Sequence, residues 1–402
     1  MCPGQTGQTG QIGGNGRVTC DVAIIGGGLV GASLAYELVT RGADVVLVDR
    51  HHQGRATDAG AGILSPETYF DEDDGWAALA RSAGEHHRQL DQRVTEDGAE
   101  GGTGRSVCGL IKISASEGED DWFNHGLQLA RRRTPEIVTV IDPSEAARAF
   151  PPLGPVRLAM FNPIAARIDG RKATAAIMTA ALLRGLRTMS AEVTDFEIDR
   201  VGVGDADGAG DADGERVTAI VSDAGRVFAG SVAIAGGAWT SRFADQLHTT
   251  IPVKPLKGQI IHLTLPGVDT GTWPILQPVM SHYLVPWPDS RVACGGTLEA
   301  DAGFDTRVTA HGVHELLREG LKTAPGLGTA TIKEVRVGLR PASADDRPVL
   351  GKLPDWSNVY VATGHGTEGL LIGPYTAMLV AESILSGQTP EEISGLTASR
   401  FS

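Results

Sequence analysis

An α/β fold is expected from three features of the sequence, with one parallel sheet interleaved with an α+β portion built on an antiparallel sheet. Residues 19–49 read as strand, helix and strand in about 30 residues, the mark of a parallel crossover unit. Residues 251–300 read as antiparallel strands, with Pro286 to Ser290 as a turn between 283–285 and 291–294. A buried strand at 358–363 and a helix at 370–386 then return to the first pattern.

Composition sets the bounds. With 402 residues the chain has room for two to three domains, or for one interleaved pair. Hydrophobic residues make up 41% and charged residues 21%, so a large core can form and global disorder is excluded. There are 53 glycines without any collagen-like period, which points to tight turns and close backbone approach to a ligand. A net charge of −14 argues against nucleic acid or an anionic membrane as the main partner. Cys2, Cys20, Cys108 and Cys294 lie far apart, with no zinc spacing or disulfide framework. A reducing, cytoplasmic setting is expected. No run approaches the roughly 18 apolar residues of a membrane span. Residues 1–18 lack the basic and apolar regions of a signal peptide and are expected to be a flexible polar tail outside the fold.

Along the chain, Val22, Ala23, Ile24 and Ile25 form an apolar run without alternation, as in a strand buried on both faces. After Gly26, Gly27 and Gly28, a helix runs from Leu29 to Arg41, with Leu34 and Leu38 on one face and Gly42 as its C-cap. A second buried strand, 45–48, ends at Asp49. Helices are expected at 76–95, 125–133 and 144–150, with a strand at 105–115. Another helix is expected at 171–187, with Ala175, Ile177, Ala181, Leu182 and Leu183 on its buried side. Strands near 191–198 and 215–221 flank the acidic loop GVGDADGAGDADGE, read as a solvated hairpin loop because the twelve-residue calcium pattern with its terminal glutamate is missing. Strand 231–235 runs into Gly236, Gly237, Ala238 and Trp239, and a helix follows at 311–323. Strand 332–340 alternates Val335, Val337 and Leu339 against Arg336, Gly338 and Arg340. The turn 364–369 leads into the last helix, which Gly387 stops. One domain is expected to comprise 19–75, 165–245 and 336–395, and the substrate-binding domain 76–164 and 246–335.

The Gly26-x-Gly28-x-x-Gly31 pattern between a buried strand and a helix has a physical purpose. Its first glycine makes the turn, the second admits a pyrophosphate to the backbone, and the third lets helix and strand pack closely. The helix N-terminus then receives the negative charge. Asp49, at the end of the second strand, is placed to bind a ribose hydroxyl. NAD and FAD share this unit. The further glycine-rich strand ends at 235–237 and 364–369 favour FAD, an extended ligand that needs several such contacts.

With these segments in view, the chain resembles the D-amino-acid oxidase-like FAD-dependent oxidoreductases, nearest the glycine oxidase and D-amino-acid dehydrogenase branch. The resemblance spans about 20–387. It rests on VAIIGGGLVGASLAYEL with VVLVDR, RATDAGAGIL at 55–64, AGGAW at 235–239, PVKPLKGQ with HYLVP, and GLRPASADDRPVLG with NVYVATGHGTEGLLIGP. It implies a Rossmann-like FAD domain of the glutathione-reductase type and noncovalent FAD. Beyond Gly26, Gly28, Gly31 and Asp49, the implied cofactor contacts are Arg50, Thr57, Ala59, Gly60, Ala61, Gly62, Ile63 and Val193; then Gly236, Gly237, Trp239, Gly338 and Arg340; and Gly364, His365, Gly366, Thr367, Glu368, Gly369 and Leu370. Small residues at 59–62 suit a flat ring lying against the chain. The helix after Gly369 turns its positive end towards the 364–369 segment.

The same resemblance assigns Arg340 and Tyr283 to a substrate carboxylate, a pairing that suits a guanidinium fork and a phenol donor. Thr367 and Glu368 stand where some relatives carry a basic residue. Glu368 is a ligand for the substrate amine or, the favoured reading, a cap of the last helix. Asp49 replaces the more usual glutamate. His365 is expected to be structural, since hydride transfer from Cα to flavin N5 needs no protein base. His282 and the His51–His52 pair lack metal partners at useful spacing. Trp239 and Trp287 are expected to pack, with Trp287 a candidate for the pocket border. The implied function is oxidation of a small amino acid (glycine, sarcosine, a D-amino acid or an imino acid) to an imine that water hydrolyses. Oxygen or a quinone-type acceptor would reoxidise the flavin, in a possible homo-oligomer that binds no nucleic acid. An FAD-dependent 2-hydroxy-acid dehydrogenase and a flavin-binding subunit of a larger complex are the alternatives. A reductase using a second nucleotide would need a second glycine motif, and none is found.

Overall fold

A computed structural model describes residues 17–200 and 214–401. Its first sheet is built on five parallel strands, in the spatial order Val359–Thr363, Gly225–Ile234, Val18–Ile25, Val45–Val48 and Arg187–Met189. Ile24 lies between Ala233 and Leu47 in register. The strands are buried on both faces, which accounts for their apolar runs without alternation. Antiparallel strands Val193–Arg200 and Glu215–Ser222 extend one edge. The acidic loop between them, apart from Gly214 and Glu215, lies outside the described residues. The first strand starts earlier than expected: Val18, assigned to the tail, is buried opposite Val227, because pairing with a ten-residue neighbour extends the ladder.

Helices Leu29–Thr40, Asp74–Glu96, Gly170–Leu183 and Gly369–Ser386 cover one face of this sheet. The helix expected at 76–95 in the substrate-binding portion spans Asp74–Glu96, and its Leu79, Ala83, Leu90 and Val94 pack instead into the core shared with 29–40 and 369–386. The helix expected over 171–187 stops at Leu183, since Gly185 adopts φ +102 and frees 187–189 to join the sheet. Its buried face is Ala173, Ile177, Ala180 and Ala181; Ala175, Leu182 and Leu183 face solvent, against expectation. The 369–386 helix is long and apolar enough to cross a membrane by length and composition. Its apolar character is accounted for by Leu371, Ile372, Leu379 and Val380, which are buried in the core.

The second sheet has eight strands, in the order Thr331–Ser343, Val253–Thr264, Arg291–Gly295, Tyr283–Trp287, Ile275–Pro278, Leu110–Ser114, Leu158–Asn162 and Thr139–Ile141. Its pairings are antiparallel except that 275–278 runs parallel to 110–114. The 331–343 strand pairs with 253–264 along its length, so a boundary at 336 would cut a continuous ladder. Pro286 and Trp287 belong to the strand rather than the turn. The strand expected at 105–115 is two pieces, 106–107 and 110–114, parted at Gly109 with φ +74.

Candidate active site

A cavity of about 510 Å³ lies where the C-terminal ends of the parallel strands meet a face of the second sheet. Such strand ends are where open α/β sheets bind ligands. Gly26 follows strand 18–25 with φ +105, and a Cβ there would lie 2.5 Å from the Ala235 carbonyl oxygen. At Gly31 a Cβ would run into the Gly26 carbonyl oxygen, so helix and strand touch through glycine alone. Helix 29–40 carries no acid in its first turn and no side-chain cap at Gly28. Its N-terminus therefore offers backbone donors to an anion, with the Leu29 amide already turned to Thr57 Oγ1 at 3.2 Å.

Asp49 stands at the end of strand 45–48, paired with Arg55 and with His51 Nδ1 at 3.1 Å. Beside it, Glu192 pairs with Arg50 and with Arg242 at 2.7 Å. Trp239 stacks on His52 with ring centroids 4.4 Å apart, making an aromatic wall there. The segment 56–63 continues the lining, and Gly62, at φ +77, presses against the Ile168 backbone where no side chain fits. Glycine-only approaches, an open helix N-terminus and an acid at the strand end fit the pyrophosphate and ribose of FAD.

At the other end, Arg340 lies over Gly258, where a Cβ would strike its Nη1. Nη1 donates to the Thr297 carbonyl at 3.0 Å. The guanidinium and the Tyr283 hydroxyl converge over Gly296: a Cβ there would lie 3.0 Å from Arg340 Nη2 and 3.2 Å from Tyr283 Oη. Burial pushes the Tyr283 phenol up and Arg340 pulls it back, so the hydroxyl stays a proton donor at neutral pH. Arg340 and Tyr283 thus form a ready fork-and-phenol site for a carboxylate.

The 331–343 strand ties the two ends together. Gly338 packs against Ala59 and Ala56, the Leu339 amide donates to Gly54 at 2.8 Å, and the Gly366 amide donates to Pro341 at 2.9 Å. His365 is 5% exposed and bonds Thr376 Oγ1 at 2.9 Å; burial lowers its pKa to about 4. A neutral ring held by a threonine fits the structural role expected of it.

Glu368 does not cap its helix through its side chain, correcting the favoured reading. Its carboxylate instead accepts from the Tyr69 hydroxyl and from Thr367 Oγ1 at 3.3 Å, and borders the cavity. Burial pushes this carboxyl up. Lys112 reaches the same wall from strand 110–114.

Of the residues expected to hold the cofactor, all but Gly31 and Gly364 border the cavity. Gly31 serves helix packing, and Gly364 makes the turn at φ +75, with no room for a Cβ beside the Val349 amide. Trp287 does not border the cavity; it is buried and lies within 5.0 Å of the Arg291 guanidinium. Sequence reasoning missed Tyr69, Lys112, Gly258 and Gln277. The signal for Lys112 was visible: a single lysine inside the apolar run LIKIS.

Comparison with known proteins gives the family. The profile of the DAO family, FAD dependent oxidoreductase, matches residues 21–383. An uncharacterised oxidoreductase of Bacillus subtilis is 32% identical over 92% of this chain and 96% of its own. The crystal structure of iminodiacetate oxidase from Chelativorans sp. is 34% identical, with a TM-score of 0.82 over 94% of this chain and 98% of that one. Glycine oxidase from Geobacillus kaustophilus gives the same TM-score at 27% identity, over 96% and 99% of the two chains.

Proposed function

The chain belongs to the DAO family of FAD-dependent oxidoreductases and is an FAD-dependent enzyme; on that premise we propose that it oxidises the amine of a small amino acid. The observation that carries this reading is the Arg340–Tyr283 pair converging over Gly296 at the cavity wall. Arg340 grips the substrate carboxylate and Tyr283 donates a further hydrogen bond, which fixes the Cα–H and amine in one orientation. Glu368 borders the cavity and offers an acceptor to the substrate amine. Burial lowers the His365 pKa to about 4, so the ring is neutral at neutral pH, and it bonds Thr376 Oγ1. Bound FAD supplies the two-electron acceptor. The amine becomes an imine, which water converts to an oxo acid and ammonia or an amine.

Noncovalent binding is part of the proposal: Cys20, Cys108 and Cys294 are free and none borders the cavity. The test is an anaerobic visible spectrum of the purified protein, with glycine, sarcosine, D-alanine, D-proline and 2-hydroxyglutarate added separately. Bleaching by an amine supports the reading, and recolouring in air marks oxygen as the acceptor. Bleaching by the hydroxy acid alone overturns it in favour of a hydroxy-acid dehydrogenase.

A further inference from the structure

Lys112 is 6% exposed, on a strand whose five residues are all buried. Its Nζ donates to the Thr68 carbonyl at 2.8 Å and stands 3.7 Å from the centre of the Phe70 ring. An ammonium has three donors, and a buried one is costly unless a counter-charge meets it. Among the described residues no ion pair reaches it; burial lowers its pKa to about 7, and the Glu368 carboxyl is the one charge acting against that. That carboxyl is itself engaged by Tyr69 and Thr367, and burial drives it towards its neutral form. Lys112 thus borders the cavity with its Nζ bonded to a neutral carbonyl rather than paired with an acid, and a bound anion would hold its proton in place.

Strand register says what those donors face. Lys112 lies opposite Gln277, and the pairing of Leu276 with Leu284 sets Gln277 opposite Tyr283. Lys112, Gln277 and Tyr283 thus form a row across three neighbouring strands, and all three border the cavity. Two strand spacings, about 10 Å, separate the first from the last at the backbone. A ligand whose carboxylate sits on Arg340 and Tyr283 directs its other end along this row. Glycine has nothing to place there.

We propose that Lys112, with Gln277, forms a second anion subsite, so that the preferred substrates are amino acids carrying a second carboxylate. This rests on the amine-oxidation reading for turnover, though not for binding. Two sources share the chemistry: a carboxymethyl group on the amine nitrogen, or an acidic side chain on Cα.

The test uses the FAD-loaded full chain. Binding is read from perturbation of the flavin spectrum by oxydiacetate, a dicarboxylate without an amine, against methoxyacetate, its monocarboxylate counterpart. The wild-type protein should bind oxydiacetate about tenfold or more tighter, and Lys112→Met should abolish that preference while Lys112→Arg restores part of it. Equal affinity for the two probes in the wild type overturns the proposal and requires no variant to fold. A Lys112→Met protein with unchanged preference overturns it as well. Turnover of iminodiacetate against D-aspartate and D-glutamate then separates the two sources. Failure of every amine to bleach the flavin would refute the amine-oxidation reading while leaving the oxydiacetate result to judge the subsite.

Discussion

At the Gly26–Gly31 end of the cavity the wall is main chain, and at the Arg340 end it is long side chains. The first end works because atoms are missing: glycines let the Gly26 carbonyl meet the helix at Gly31 and leave the backbone donors of helix 29–40 open. The second works because charged and phenolic groups reach inward from strands distant in sequence, Arg340 over Gly258 and Tyr283 over Gly296. A change at the first end is therefore steric and falls on folding and FAD binding together. At the second end, replacing a side chain such as Arg340 falls on charge and leaves the fold in place.

The largest effect should come from Gly31→Ala, whose added methyl has only the Gly26 carbonyl oxygen to occupy. Loss of about 1–3 kcal/mol of stability together with loss of bound FAD is expected, read by thermal melting and by flavin absorbance per protein. A flavin-replete variant with an unchanged melt would break the contrast. Next is Arg340→Met, which should keep its flavin and lower kcat/KM for the amine substrate by about a hundredfold or more. Equal loss of flavin in that variant would show that the two ends are not separable.

A pH series sharpens the contrast from another side. His87 is fully buried, bonds the Leu370 and Leu371 carbonyls, and is held at about 4, largely by burial; His365 is also held at about 4. Both pKa values lie below the ordinary 6.5, so the unfolded chain binds protons that the fold refuses. Stability is complete above about pH 6.5 and falls as pH drops towards 4, by up to about 1.4 kcal/mol per pH unit for each histidine. Denaturant midpoints at pH 7.0, 5.5 and 4.5 test this; a flat series would contradict it. Smallest is Gly258→Ala, which displaces the Arg340 guanidinium without touching the cofactor end. KM should rise several-fold at unchanged flavin content, with about 1 kcal/mol lost.

The difference between the two ends also explains what could be read from the chain. The strand–helix–strand unit at 18–48 depends on neighbours within about 30 residues, so its period, its glycines and Asp49 announce it. Arg340 and Tyr283 were reached through family resemblance, because the register that brings them together crosses 57 residues of chain. Lys112 and Gln277 meet only through a parallel pairing of distant strands, which no local pattern encodes. The helix at 74–96 was visible as a helix, but its partners were not, and it joins the first core rather than the second. Leu182 and Leu183 misled because adjacent leucines suggest burial, whereas the helix phase set by Ala173, Ile177 and Ala180 turns them outward.

The 331–343 strand is bound to strand 253–264, to Gly54 and to Gly366 at once, and it carries Arg340 between the last two of these ties. The proposed carboxylate anchor is thereby a fixed datum against which the cofactor segment is set. Lys112 and Gln277 hang from strands with no such ties to the 54–60 and 364–369 segments. Changes at 112 and 277 would thus alter one jaw of the proposed clamp while the Arg340 jaw keeps its gauge.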